Sequence, residues 1–100
     1  MKALEAVKKT GGTYVTVTDD EILAAIALLG KLEGIFGEPA GVTGVAGILK
    51  AMNLGIIEPT QTVATIITGN GLKDVKNGMK AAREPMKIKP ELSSVIKYFE

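Results

Sequence analysis

Cysteine and histidine are both missing from this chain. Their absence excludes disulfides, Cys/His zinc sites and any nucleophile–base pair built on a thiol or an imidazole. Lack of cysteine is compatible with the cytoplasm, the location expected here. Basic residues form no block long enough to track a phosphate backbone, and the formal net charge is +1. A nucleic-acid partner is therefore not expected. The N-terminal residues 1–9 lack the long apolar run and cleavage site of a signal peptide. The apolar stretch 35–57 is broken by Glu38, Lys50, Asn53 and several glycines, so it is too interrupted to span a bilayer, and no membrane partner is expected.

What remains is an ordinary globular composition. Hydrophobic residues make up 46% of the 100 residues. A length of this order predicts one domain with a modest core and little surplus stability.

Periodicity divides the chain. Residues 2–9 place Leu4 and Val7 at helical spacing, and Gly11-Gly12 stops them. Residues 13–18, Thr-Tyr-Val-Thr-Val-Thr, favour a strand. Thr18-Asp19-Asp20-Glu21 has the form of a capping box, with the acids suited to the positive end of a helix dipole. A helix is expected from Asp19 to about Glu33, with Ile22, Ile26 and Leu29 on one face and Gly34 as its stop. Ile35-Phe36 reads as a short strand or a turn.

A second helix is expected over residues 41–52. Gly41, Gly44 and Gly47 recur there at steps of three, where each glycine costs about 1 kcal/mol against alanine. Such a stripe suggests a face that another backbone or a flat ligand approaches closely. Residues 63–68, Val-Ala-Thr-Ile-Ile-Thr, read as a near-continuous apolar strand of the kind found in parallel sheets covered on both faces. Residues 74–83 are polar and weakly helical, 86–89 form a possible short edge strand between prolines, and 91–99 close the chain as a helix. The order implies an α/β architecture, a partial parallel sheet flanked by helices. Two firm strands are few for such a sheet, so the chain reads as part of a larger domain.

Two motifs carry candidate chemistry. Thr68-Gly69-Asn70-Gly71-Leu72-Lys73-Asp74 follows the carboxyl end of the apolar segment, where open α/β sheets bind ligands. On spacing alone it reads rather as a turn in which Asn-Gly supplies positive φ. Glu38-Pro39-Ala40-Gly41 precedes the glycine stripe, and by itself is an ordinary helix entry. Lys73 and Asp74 read as surface charges.

Taken together the motifs resemble one family. Residues 14–74 are similar to the C-terminal part of threonine synthase, on Thr18-Asp19-Asp20-Glu21-Ile22, Glu38-Pro39-Ala40 and Thr68-Gly69-x-Gly71-Leu72-Lys73-Asp74. The flanks 2–12 and 85–99 match only in character. The resemblance implies a tryptophan-synthase-β-like (fold type II) domain dependent on pyridoxal phosphate, making threonine and phosphate from O-phosphohomoserine and water. It implies cofactor-binding roles for Thr68 at the ring nitrogen, Glu38 near the ring and Gly69 lining the pocket. Asn70 departs from the histidine often found at that position.

The lysine that anchors the cofactor in this family, in a Ser-Phe-Lys-Asp-like segment, has no counterpart here, nor has the glycine-rich phosphate loop. The expectation is a single C-terminal segment, residues 1–100, with no catalytic residue of its own and no cofactor bound alone. Its expected partners are the missing N-terminal part of the enzyme and further copies of itself. The rival readings are a stand-alone small α/β ligand-binding or regulatory module, and an interaction protein docking through exposed apolar surface.

Overall fold

The structure, a computed structural model, describes residues 1–99. Helix α1 (Lys2–Thr10) ends at Gly11, whose φ of 65° is the left-handed conformation that favours glycine. None of its residues is buried. Helix α2 (Asp19–Glu33) starts as its sequence dictates. The Glu21 amide donates to Thr18 Oγ1 at 3.2 Å, and the Thr18 amide donates to Glu21 Oε2 at 2.7 Å. The capping box is thus complete, and two of the helix's orphan donors are satisfied. Gly34, with φ of 67°, ends the helix and donates back to the Gly30 carbonyl at 3.1 Å.

Helix α3 (Pro39–Asn53) begins two residues before the glycine stripe, with Pro39 in its first turn. It packs against α2 through small side chains. Ala25 and Ile26 from α2 meet Val42 and Ala46 from α3, and all four are buried. Val17, Ile22, Leu23, Leu29, Val45, Ile67 and Ala81 surround them. Lys50 of α3 reaches Glu21 of α2 at 3.0 Å, tying the second helix to the cap of the first. A single 3-10 turn (Gly71–Asp74) leads into α4 (Val75–Ala81), which lies on α2. Helix α5 (Leu92–Ile96) is shorter than the 91–99 helix its pattern suggests.

The expected partial parallel sheet is not formed. Among the described residues there is no strand, and the one bridge pairs Gly37 with Asn70 in antiparallel sense. Residues 13–18 and 63–68 carry no helix or ladder; each instead lends a side chain, Val17 or Ile67, to the helical core. The physical reason is that a strand is defined by its neighbour. β-branched sequence makes extended backbone easy, but ladder hydrogen bonds need a second edge alongside. The expected edge strand at 86–89 is missing for the same reason. The radius of gyration is 18.1 Å, against about 13 Å for a compact domain of this length. Large apolar side chains are correspondingly open, among them Ile66, Leu72, Leu92 and Phe99.

Candidate functional site

The two motifs of the sequence, separated by some thirty residues, meet in space. The amide of Glu38 donates to the Gly69 carbonyl at 3.0 Å, and the amide of Gly71 donates to the Phe36 carbonyl at 2.9 Å. These bonds seat the entry of α3 against the loop that follows residues 63–68.

Glycine makes the approach possible. A Cβ on Gly41 would lie 2.9 Å from the Gly69 nitrogen and 3.3 Å from the Thr68 nitrogen, too close to backbone that cannot swing away. A Cβ on Gly44 would lie 2.5 Å from Thr65 Oγ1. Gly47 has nothing within 4 Å. The close approach expected of the stripe is therefore met at its first two glycines, and the third is open. On the other side of the contact, a Cβ on Gly69 would fall onto the carboxylate of Glu38, and one on Gly71 onto the ring of Phe36. Neither glycine has positive φ, and Asn70 is extended at φ −78°. The Asn-Gly turn reading is thereby corrected: these glycines are needed for contact and not for handedness.

Glu38 enters its helix as an N-cap residue, yet its side chain caps nothing. It lies across Gly69 with 17% of its side chain exposed, and Lys73 Nζ reaches its Oε1 at 3.0 Å. Asp74 accepts from the side chain and the backbone amide of Asn77 at 2.8 and 3.1 Å. Those bonds from Asn77, with Lys80 and Lys76 nearby, hold its carboxyl below the usual carboxylate range. Lys73 lies at the surface as expected and Asp74 is half-buried, and each is also bonded within the chain. The signal that could have found them is their place in a seven-residue motif whose other members were already singled out. Asn70, the departure from the family pattern, accepts from the Leu72 amide at 2.9 Å and caps the 3-10 turn.

The structure brings Glu38, Thr68 and Gly69 into one cluster, with Thr68 exposed. A hydroxyl there can donate or accept. A concavity of about 390 Å³ lies elsewhere, beside Asp19, Asp20, Leu23, Pro39, Asn77 and Lys80. It adjoins the cluster only through Pro39, so its size is no guide to the chemistry. No group of three or more metal-ligating side chains occurs among the described residues, and none of their helices is long and apolar enough to cross a membrane.

The relatives of this chain place it in a family. Residues 1–69 match the family described as pyridoxal-phosphate dependent enzyme, and the chain belongs to it. Among its relatives are threonine synthases. That of Methanocaldococcus jannaschii is 42% identical over 92 residues, 92% of this chain and 23% of the relative. That of Methanosarcina acetivorans is 42% identical over 94% of this chain and 23% of its own length. That of Mycobacterium leprae is 45% identical over 78% of this chain and 22% of its own. The chain therefore spans about a quarter of the length of the relatives it matches.

Proposed function

We propose that the chain is a C-terminal segment of a threonine synthase, the enzyme that makes threonine and phosphate from O-phosphohomoserine and water. The observation that carries this reading is the meeting of Glu38 with Thr68-Gly69, because it assembles the family-like motifs into one place. The names of the relatives support the same activity. In the completed pocket Thr68 offers its hydroxyl to the ring nitrogen of pyridoxal phosphate, Gly69 lines the pocket floor, and Glu38 stands beside the ring. The bound cofactor supplies an electron sink for carbanion chemistry. A hydroxyl partner leaves the ring nitrogen unprotonated, in contrast to a carboxylate partner.

This segment contributes one neutral contact to the cofactor. Such a bond is worth about 0.5–1.5 kcal/mol net, and ordering a ligand costs several kcal/mol. The segment alone is therefore inactive and does not hold the cofactor; it works with the N-terminal part of the enzyme. The open apolar surface favours further association, so copies of the chain form oligomers in the cytoplasm. The experiment is titration with pyridoxal phosphate, wild type against Thr68→Ala, followed by absorbance. The chain alone is expected to show no saturable one-to-one binding. Joined to the N-terminal part, it is expected to bind cofactor and form threonine, and Thr68→Ala lowers both. Saturable binding by the chain alone, weakened by the substitution, overturns the reading of an incomplete pocket.

A further inference from the structure

Lys73 stands at the end of a small built device. Asn70 Oδ1 fixes the start of the 3-10 turn through the Leu72 amide, and the Lys73 amide donates to the Asn70 carbonyl at 3.1 Å. Asp74 fixes the end of the turn by capping α4. The turn so held aims Lys73 Nζ at Glu38 Oε1, thirty-five residues away in sequence. Glu38 in turn occupies the space over Gly69 that any side chain there would need. A carboxylate in that place is one residue from the Thr68 hydroxyl. Free of the Lys73 bond, its charge would favour a protonated ring nitrogen beside it.

We propose that Lys73 is a positioning residue, holding the Glu38 carboxylate across Gly69 so that a ring nitrogen at Thr68 meets a neutral hydroxyl and not a free carboxylate. The inference rests on the cofactor role given to Thr68 above. It accounts for three residues of the motif that the cofactor contact leaves unused: Asn70 and Asp74 set the turn, and Lys73 acts through Glu38. Because 64% of the Lys73 side chain is exposed, its replacement leaves the helical core intact.

The test has two arms. In the chain by itself, ¹H–¹⁵N spectra report the Gly69 amide. Lys73→Met is expected to shift that resonance by more than a line width, as Glu38→Gln does, and the double variant is expected to match Glu38→Gln alone. Lys73→Arg is expected to keep the wild-type position. A Gly69 amide unmoved by Lys73→Met overturns the positioning role, whatever the second arm gives. In that second arm the matching segment of the M. jannaschii threonine synthase is replaced by this chain, and the protein is loaded with pyridoxal phosphate labelled with ¹⁵N in the ring. Lys73→Met is expected to move the ring nitrogen toward its protonated position, and adding Glu38→Gln to return it. A ring nitrogen moved by Thr68→Ala but not by Lys73→Met removes Lys73 and leaves the Thr68 reading standing. A ring nitrogen blind to Thr68→Ala removes that reading itself.

Discussion

Helix α2 closes both of its ends from within the chain and packs on α3. Thr18 and Glu21 close one end, Gly34 closes the other, and Lys50 joins the pair through the same Glu21 carboxylate that caps. Residues 13–18 and 63–68 do the opposite. They are rich in β-branched residues, yet no ladder joins them to anything among the described residues. The difference lies in where the partner sits. A helix finds its hydrogen bonds four residues away, and two helices need only one complementary face. A strand must borrow its bonds from a neighbour that its own sequence does not contain. The helix pair packs within this chain, whereas the extended segments form no ladder among the described residues.

The contrast can be broken first at the core. Val42 is fully buried between the helices, and Val42→Ala is expected to destabilise by about 2 kcal/mol, a large share of what so small a core provides. Urea denaturation followed by circular dichroism at 222 nm reads it as a lower midpoint. Gly41→Ala comes next. Its Cβ meets Gly69 backbone at 2.9 Å, so a loss of about 1–3 kcal/mol is expected from overpacking, despite alanine's better helix propensity. A melt no lower than wild type would mean that the loop at residues 68–69 does not sit on α3.

At the cap, Thr18→Ala is expected to cost about 1 kcal/mol. The pH dependence follows from the partner of the cap. The Thr18 amide, then Lys50, lower the Glu21 carboxyl below its usual value. A carboxyl depressed in the folded state stabilises above its unfolded value, and that contribution is lost as pH falls through the lowered folded value. Acid titration of stability should therefore show a fall in this range, and Glu21→Gln should flatten it. Smaller and of opposite sign, Gly47→Ala is expected to stabilise by about 0.5–1 kcal/mol, since its Cβ meets open space. In a protein where a further strand covers that face, the same change should be unfavourable. Ile66→Thr is the smallest: at 79% exposure it should lie within about 0.5 kcal/mol of wild type in the isolated chain.

What was legible in the sequence follows the same division. The capping box at Thr18–Glu21 and the stops at Gly11 and Gly34 rest on chemistry within a few residues, and all appear; the stripe at Gly41 and Gly44 marked a close face but not its partner at residues 65–69. The sheet did not, because residues 13–18 and 63–68 announce only a readiness to be extended. Within the candidate site, Glu38, Thr68 and Gly69 were singled out by their motifs, and the fold brings them together. The bond between Lys73 and Glu38 was not legible, because two opposite charges thirty-five residues apart look the same in sequence whether or not a turn aims one at the other.

The packing of Glu38 over Gly69 has an evolutionary corollary. A side chain at position 69 can enter only by expelling the carboxylate, which also strands Lys73. Shortening position 38 first costs little, because most of Lys73 is already in water. The two orders of substitution are therefore unequal: 38 then 69 is an open path, and 69 then 38 passes through a crowded intermediate. Once a side chain is established at 69, glutamate cannot return to 38 in this conformation.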